Sequence, residues 1–390
     1  MIAVAEALEN LFALVSPLDT ETVPLRSAAG RVLSRSVAAG RDQPPFPASA
    51  MDGYAVKAAE VEPDALFKVV GEAAAGHAWA GTLKAGQAVR IFTGAPVPAG
   101  ADRVVIQEDV SRTGDLITLG RNLSEGSNIR PAGVDFAKGS TFDGPRRLFP
   151  ADIALLAAMN VADVPVARAP RVALISTGDE LVMPGGAPGP DQIIASNTFG
   201  LAAQITERGG RPSILPIAGD TEAALRQAFA LARGADLILT IGGASVGDHD
   251  LVAPVTAELG MVQSFYKVAM RPGKPLMAGT LDGTPMIGLP GNPVSAMVCG
   301  TVFVGPVLDA LQGLPACPAP RRTAPLIAAL SANGPREHYM RATLGPEGVR
   351  DAGAQDSSLL HVLAHANALI VRPPGDPARA AGDTVEIIDL

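Results

Sequence analysis

The sequence predicts a multidomain chain that combines a central, doubly wound parallel α/β domain with all-β parts. Residues 171–311 alternate between short apolar runs and amphipathic segments, a pattern typical of a parallel sheet covered by helices on both faces. Residues 46–137 and 323–390 instead show short apolar runs between glycine and proline turns, which favour β structure. The chain has 390 residues, more than one hydrophobic core usually serves.

The N-terminal half begins with an amphipathic segment, predicted to be a helix over residues 1–18 that stops near Pro17. A proline-rich turn at 43–47 precedes the all-β insert, where runs such as FKVVGEA and AVRIFTG predict strands. A second helix is predicted over 150–160, with Pro150 and Asp152 in its opening turn.

The α/β domain begins at residue 171. Its predicted strands are 171–177, 212–218, 235–243 and 284–291, and its predicted helices are 198–210, 221–234, 250–260 and 292–311. A proline-rich linker at 314–322 leads to further short strands, which we expect to form a small β-barrel or sandwich.

Composition and charge restrict the possible functions. Hydrophobic residues make up 47% of the chain and charged residues 18%, so the chain is expected to fold rather than remain disordered. The net charge of -8 argues against a nucleic-acid partner but allows a local basic site for a small anion.

The start of the chain lacks the basic region of a signal peptide, and no run of ~20 uncharged apolar residues predicts a membrane span. The isolated Cys299 and Cys317 form no disulfide or zinc pattern, so we expect a reducing, cytoplasmic compartment.

The string STGDEL (176–181) directly follows the first predicted strand of the α/β domain. In open parallel sheets, ligands bind outside the carboxyl ends of the strands, so this corner is a candidate site. Ser176, Thr177, Asp179 and Glu180 supply oxygen atoms, and such carboxylates can hold magnesium. An ordinary helix cap with surface acids is the structural alternative.

A second corner is the string GGASVGDHD (242–250). Glycines allow backbone N–H groups to approach an oxyanion closely, and the helix that follows adds its positive end. Asp248 and Asp250 could hold a metal that bridges bound phosphates. A plain tight turn is the alternative, but the complete nine-residue string favours a site. The residues that we expect to contact phosphate here are Gly242, Gly243, Ser245 and Gly247.

The string LPGNPVS (289–295) forms a third corner. Asn292 is a favourable N-cap and Pro293 a favourable first helical residue, so a helix begins here in any case. Free N–H groups at the same helix end could also contact a ligand.

A basic segment, KVAMRPGKP (267–275), lies in a stretch without any acidic residue. Lys267, Arg271 and Lys274 therefore form a candidate anion site in an otherwise acidic chain. A solvated run of charge is the alternative, although such a run usually has acidic neighbours.

Two strings in the β insert are weaker signals when taken singly. SAMDGYAV (49–56) places Asp52 beside Gly53, and IFTGAPVPAGAD (91–102) places Thr93 and Gly94 at the end of a strand. Each alone is more often a turn than a site.

Together these strings resemble, in order, those of one family, the molybdopterin molybdenumtransferases (MoeA), which also includes the gephyrin E-domain. GSNIRPAGVDFAKG (126–139) and the C-terminal AQDSSLLHVLAHANALIV (354–371) match as well. The resemblance implies that one group of residues lines the site, with Pro290 and Pro293 shaping its rim. The group is Asp52, Thr93, Asp135, Glu180, Asp220, Asp250, Lys267, Arg271 and Lys274. The sequence departs from the family pattern at Pro47 and Ala48, at Ala195 in place of an acid, and at Arg271 in place of a frequent lysine.

The resemblance also implies four domains and a homodimer whose site lies between the third domain of one subunit and the insert of the other. The expected bounds are 19–45 with 138–170 for domain I, 46–137 for domain II, 1–18 with 171–317 for domain III, and 318–390 for domain IV. Molybdopterin adenylyltransferase and the molybdoenzymes that receive the product are expected protein partners. No nucleic acid and no membrane are expected.

The implied reaction transfers molybdate into adenylylated molybdopterin and releases AMP. Asp52, Glu180, Asp220 and Asp250 are the expected catalytic acids, and Glu180, Asp250 and Asp52 are the expected ligands of Mg²⁺. The dithiolene sulfurs of the substrate bind molybdenum, which agrees with the lack of a Cys/His cluster in the sequence. A molybdopterin adenylyltransferase and a non-catalytic, gephyrin-like scaffold remain as alternatives.

Overall fold

The computed structural model describes residues 1–243 and 251–390. The first helix, Val4–Ala13, buries Val4, Ala7, Leu8 and Leu11, which recur at helical spacing. This helix is shorter than the predicted 1–18 because the chain leaves helical geometry after Leu14. The amide of Leu18 then donates to the carbonyl of Leu311, which ties the segment to the α/β core.

The next part of the chain is an antiparallel sheet covered by one helix. Its strands, in spatial order, are Thr20–Pro24, Asp163–Ala167, Val32–Leu33 and Arg146–Arg147. A two-stranded pair, Val37–Ala38 with Thr141–Phe142, extends this part. The helix Pro150–Ala158 begins as predicted, and Asp152 accepts a hydrogen bond from the amide of Phe149 at 2.8 Å.

The insert is a six-stranded sheet with one apolar cluster on each face. In spatial order its strands are Arg103–Ile106, Gly53–Val56, Gln87–Ile91, Leu66–Ala73, Leu116–Leu119 and Val110–Thr113. The strands Ala48–Ser49 and Ile129–Arg130 pair beside it. Gly53–Val56 therefore lies between two partners, which fixes the backbone that follows Asp52.

The α/β part contains a six-stranded sheet with an apolar cluster on each face, as the doubly wound prediction requires. In spatial order its strands are Arg211–Ile214, Arg171–Ser176, Leu237–Ile241, Thr284–Leu289, Met277–Leu281 and Val262–Tyr266. The covering helices are Asn197–Glu207, Glu222–Leu231, Val252–Glu258 and the continuous helical run from 293 to 311.

The sheet is parallel over its first four strands but not throughout. Met277–Leu281 runs antiparallel to Thr284–Leu289 because only Asp282 and Gly283 connect them, both with positive φ. A two-residue turn of this kind joins antiparallel neighbours, and Asp-Gly is its usual sequence. The strand Val262–Tyr266 pairs with the outer edge of this hairpin.

The helical run from 293 to 311 is long and apolar enough to cross a membrane by length and composition, but most of it is buried in the core. It consists of Pro293–Cys299, a π-helical turn at Gly300–Val304, and Gly305–Leu311. Near its end, Asp309 accepts hydrogen bonds from Arg147 at 2.8 Å and from Arg208 at 3.0 Å. The run is thus a core helix held to its neighbours by ion pairs.

The C-terminal part forms the predicted barrel. Its strands, in order, are Arg322–Pro325, Thr384–Asp389, Ala368–Arg372, Glu337–Gly345 and Gly348–Asp351. A bridge between Leu326 and Val349 closes the circle. The short strand Met270–Arg271 pairs with Glu337–Gly345, so the basic segment of the α/β part is attached to the barrel. A short helix, Leu360–Ala364, follows the loop at 352–359.

We expect Asp309→Ala to lower the free energy of unfolding of the α/β part by about 1–3 kcal/mol, because two guanidiniums lose a partly buried partner. Urea denaturation measures the change. Glu258→Ala is the matched control, since it removes an exposed ion pair with Arg226 that should contribute less than about 1 kcal/mol. Equal losses in the two variants would contradict the stabilising role of Asp309.

Candidate active site

Three parallel strands of the α/β sheet end at the same level. Ser176 pairs with Ile241, and Ile241 pairs with Leu289, so the loops that follow begin side by side. These loops surround a cavity of about 740 Å³. The sequence-predicted residues that line it are Ser176, Thr177, Glu180, Asp220, Gly242, Gly243, Pro290, Asn292 and Pro293. The structure therefore brings together, at the carboxyl end of the sheet, the loops that the sequence predicted to form the site.

Gly242 and Gly243 continue the central strand into the cavity wall. Both have positive φ, 88° and 62°, where a residue with a side chain would be strained. A Cβ at Gly242 would lie 3.1 Å from the carbonyl oxygen of Thr177, and a Cβ at Gly243 would collide with Val252. Glycine is thus required here for close packing of the loops. Ser245, Gly247, Asp248 and Asp250 lie outside the described residues, so their predicted roles stay predictions.

Ser176 and Thr177 lie in the wall of the cavity and are almost completely buried. The hydroxyl of Ser176 is hydrogen-bonded to the hydroxyl of Thr198 at the start of a helix. The amide of Thr177 donates to the carbonyl of Ile241 at 3.2 Å, one residue beyond the last paired position of the strands. These two residues therefore extend the sheet to the floor of the cavity.

Glu180 is held over a glycine. Gly178 has φ of 136°, and a Cβ at this position would collide with the Glu180 carboxylate. The missing side chain leaves the carboxylate room to fold back over the backbone at the mouth of the cavity, where Glu180 is exposed.

Asp179 and Asp220 link two of the loops reciprocally. The amide of Asp220 donates to the Asp179 carboxylate at 3.0 Å, and the amide of Asp179 donates to the Asp220 carboxylate at 3.4 Å. Gly219 permits this approach, because a Cβ there would lie 2.9 Å from Asp179. Asp179 therefore positions its neighbour Glu180, while Asp220 keeps acceptor capacity toward the cavity.

The loop at 289–293 begins the core helix as predicted, but the helix is capped differently. Asn292 occupies the N-cap position without a capping hydrogen bond from its side chain. Instead, the amide of Val294 donates to the carbonyl of Ser357 in the C-terminal part. The side chain of Asn197 also donates to the carbonyl of Gly291 at 2.6 Å. One N–H group expected to be free for a ligand is thus already used.

Sequence reasoning missed several residues of the cavity. Ser358 reaches it from the C-terminal loop, and Pro275 reaches it from the basic segment. Ile193 and Ile194 are partly exposed on a short strand that pairs with Leu181–Val182, and the departure Ala195 is buried in the wall. In the sequence, Ser358 stands in the string AQDSSLL, which carries part of the family resemblance. In the structure, the amide and the hydroxyl of Ser358 both donate to the carboxylate of Asp356, which forms a local turn.

The predicted basic residues lie beside the cavity rather than in its lining. Arg271 and Lys274 are exposed on the loop that ends at Pro275, and Lys267 stacks over the ring of Tyr266. In the pairing of the two strands, Arg271 lies opposite His338 of the barrel. Burial, followed by the charges of Arg271 and three further arginines, lowers the pKa of His338 to about 4. Positive charge therefore concentrates at the junction of the two parts.

The insert carries Asp52, Thr93 and Asp135, and none of them lines the cavity formed by the described residues. Asp52 accepts hydrogen bonds from both the amide and the hydroxyl of Thr93, each at 2.8 Å. These bonds, with a smaller contribution from Arg90, lower the pKa of Asp52. Asp135 is exposed, and its amide donates to the carbonyl of Gln43. The insert thus presents the hydrogen-bonded Asp52–Thr93 pair away from the cavity of its own chain.

A second cavity, of about 490 Å³, lies between the helix Asn197–Glu207, the π-helical turn and the C-terminal helix Leu360–Ala364. Its lining is largely apolar, with Leu201, Met297 and Leu363 among the contributing side chains. It contains none of the predicted site residues and has little in common with a phosphate site.

Comparison with known families accounts for nearly all of the chain. The MoeA N-terminal region (domain I and II) matches residues 2–160, and a probable molybdopterin binding domain matches 173–310. The MoeA C-terminal region (domain IV) matches residues 323–390. The chain belongs to the MoeA family.

Full-length relatives support this membership. The molybdopterin molybdenumtransferase of a Nostoc species is 36% identical, covering 100% of this chain and 94% of the relative. Molybdopterin molybdenumtransferase 2 of Mycobacterium tuberculosis is 37% identical over 95% of both chains. The crystal structure of the molybdopterin biosynthesis moeA protein from Pyrococcus horikoshii superimposes with a TM-score of 0.86 at 27% identity, with complete coverage of both chains. The predicted multidomain fold is therefore confirmed as a MoeA-type fold.

Magnesium fits the donor set of this MoeA cavity, although no cluster of three acidic, histidine or cysteine side chains occurs among residues 1–243 and 251–390. Glu180 and Asp220 face the same cavity with carboxylate oxygens. Magnesium is commonly held by one or two carboxylates together with substrate phosphates and water, so two acids suffice.

We expect Gly178→Ala to displace the Glu180 carboxylate and to lower the free energy of unfolding by about 1–3 kcal/mol, because the new methyl group combines backbone strain with a collision. A crystal structure and urea denaturation of the variant provide the measurements. The matched control is Gly185→Ala, since Gly185 also has positive φ but an open surrounding. An unmoved Glu180 in the Gly178 variant would show that glycine is not needed for its placement.

Proposed function

We propose that this chain transfers molybdate into adenylylated molybdopterin and releases AMP, giving molybdenum cofactor. The observation that carries the proposal is a single cavity that combines a glycine-lined strand end with the carboxylates of Glu180 and Asp220. This arrangement suits a nucleotide phosphate with a bound divalent ion. Relatives that match over nearly their full length are named molybdopterin molybdenumtransferases.

The reaction breaks the bond between the AMP phosphorus and the oxygen that joins it to the pterin phosphate, and an oxygen from water replaces it on AMP. Molybdenum becomes bound to the two dithiolene sulfurs of the substrate, while one molybdate oxygen leaves as water with the two thiol protons, so molybdenum keeps its oxidation state and the protein need not supply soft ligands. Neither of the two cysteines lines the cavity, and burial raises the pKa of the Cys299 thiol, which disfavours a thiolate there. The task of the protein is therefore to hold anions and to offset their charge.

Glu180 and Asp220 are the described residues that would hold Mg²⁺, and Asp250 is a further proposed ligand by motif. A bound Mg²⁺ would neutralise charge on the substrate phosphates. The backbone of Gly242 and Gly243 can approach these phosphates because neither residue has a side chain. The bonds between Asp179 and Asp220 keep the two acidic loops in register before the substrate arrives.

Molybdate is a dianion and requires donors other than carboxylates. We assign this role to the segment of Lys267, Arg271 and Lys274, which joins the cavity through Pro275. Arginines of the barrel lie close to this segment, and after burial their charges contribute to the lowered pKa of the neighbouring His338. Ser358 adds a hydroxyl at the same edge of the cavity.

The proposed enzyme is a homodimer in which the insert of one subunit faces the cavity of the other. Asp52 and Thr93 are separate from the cavity of their own chain, which supports a site shared between subunits. The insert and the rim of the cavity also expose apolar side chains, which a subunit interface would cover. These are Phe46, Met51 and Val134 on the insert, and Ile193 and Ile194 at the cavity. Its proposed location is the cytoplasm, where the adenylyltransferase and the recipient molybdoenzymes would meet it.

We expect AMP release from adenylylated molybdopterin to require both molybdate and a divalent cation, because the cavity offers hard oxygen donors and an adjacent basic segment. Chromatography of the nucleotide products gives the rate. Glu180→Gln should abolish turnover, while Asp191→Asn, a change of an exposed acid beyond the strand Leu181–Val182, should leave it unchanged. AMP formation from ATP and bare molybdopterin, with accumulation of the adenylylated pterin, would instead identify an adenylyltransferase. Absence of any turnover by the intact chain would favour a scaffold.

We expect the inactive variants Asp52→Ala and Glu180→Ala to complement each other when their subunits exchange. A mixed dimer would contain one site with both changes and one site with neither, so it should recover about half of the activity of an unchanged dimer. AMP release after subunit exchange, verified by mass spectrometry of differently tagged subunits, measures this. Exchange without recovery would indicate sites built within single chains.

A further inference from the structure

Arg90 lies in the insert strand Gln87–Ile91, directly opposite Tyr54 in the neighbouring strand. The sequence gives no reason to single out an arginine on a β-strand. In the structure, however, its guanidinium contacts groups next to Asp52 and Thr93 and the side chain of Gln107.

One hydrogen bond attaches Arg90 directly to the backbone beside Asp52, and a second attaches it to the side chain of Gln107. Its Nη1 donates to the carbonyl oxygen of Gly53 at 3.0 Å. Its Nη2 donates to Oε1 of Gln107 at 2.7 Å, and the amide of Gln107 in turn donates to the carbonyl oxygen of Asp52 at 3.1 Å. The guanidinium and Gln107 thus hold two successive carbonyl groups in one fixed arrangement.

Two aromatic rings orient the same guanidinium. Its carbon atom lies 4.5 Å from the ring centre of Phe92 and 5.2 Å from that of Tyr54. Phe92 immediately precedes Thr93, and Tyr54 follows Asp52 by two residues. Arginine suits this position because its planar group can stack and donate two directed bonds, whereas the ammonium group of lysine cannot reproduce both.

The carboxylate of Asp52 depends on this backbone for its own geometry. It accepts the amide and the hydroxyl of Thr93 with one oxygen, so small shifts of either turn would break the pair. From these contacts we infer that Arg90 is a positioning residue, which fixes the Asp52–Thr93 pair in the orientation that faces the substrate. The inference rests on the proposed function, in which Asp52 belongs to the active site.

The test compares Arg90→Met and Arg90→Lys with Arg112→Met in the homodimeric, full-length enzyme. Arg112 is an exposed arginine of the same insert that donates to the carbonyl of Gly114 in its own hairpin, so it controls for loss of charge and local packing. We expect Arg90→Met to lower kcat for AMP release by about 10–100-fold, since a displaced catalytic group typically has effects of this size. KM for adenylylated molybdopterin should stay within about twofold, because most substrate contacts lie in the other subunit's cavity. Arg90→Lys should recover only a small part of kcat.

A double-mutant comparison separates positioning from general loss of stability. Gln107→Leu should lower kcat in the same direction, and its effect should largely disappear in the Arg90→Met background, because the side chain of Gln107 acts on this turn through its hydrogen bond to the Arg90 guanidinium. Additive effects of the two substitutions, or a kcat of Arg90→Met equal to that of Arg112→Met, would overturn the inference.

Hydrogen exchange supplies a readout that does not depend on activity. The amide of Thr93 donates to Asp52, so peptides containing Thr93 should exchange faster in both Arg90 variants than in Arg112→Met. Unchanged protection of Thr93 would overturn the role of Arg90, whether or not the enzyme is active. An intact chain that releases no AMP would refute the proposed function alone, and faster exchange at Thr93 would then still support the positioning role.

Discussion

The parallel pairing of Arg171–Ser176, Leu237–Ile241 and Thr284–Leu289 determines where three central loops of the cavity begin. Ser176, Ile241 and Leu289 lie in one row of the sheet, and hydrogen bonds extend this row by one residue through Thr177 and Gly242. A shift in register would separate the glycines from the acidic loops by a residue spacing of about 3.3 Å. The buried apolar faces of the sheet make such a shift costly, so the packing of the core also sets the geometry of the site.

The loops themselves are ordered by contacts with one another rather than by their own secondary structure. Asp179 and Asp220 join two of them, Asn197 holds the loop at Gly291, and the carbonyl of Ser357 caps the core helix from the barrel. Each contact satisfies a backbone group that would otherwise need water. The cavity is consequently formed before any ligand binds, which reduces the cost of ordering charged groups around two anions. The insert follows the same principle, since Thr93 and Arg90 order the surroundings of Asp52.

The sequence predicted those parts of the site that depend on local signals. The alternation of strands and helices predicts a parallel sheet, and the loops that follow the strands of such a sheet lie together at one end. The sequence therefore predicted that the strand ends, the glycines at 242–243 and the acid of STGDEL lie close together. The Asp282–Gly283 hairpin was predictable as well, but the prediction of a parallel sheet passed over it. Ser358 and Pro275 were not predictable from periodicity, because their place in the cavity depends on how the barrel packs against the core. Asn292 shows the same limit: its position at the helix start was evident, whereas the donor–acceptor pair that caps the helix joins residues 294 and 357.

A crystal structure of the protein with adenylylated molybdopterin and a non-reactive oxyanion tests the central claim most directly. The account predicts that the phosphates lie against Gly242 and Gly243 in the cavity of one subunit, with Glu180 and Asp220 toward the metal and Asp52 of the second subunit within reach of the substrate. The oxyanion should lie beside Arg271 and Lys274. Phosphates bound elsewhere, for example in the apolar cavity beside Leu201, or a complete site formed by one subunit alone, would contradict it.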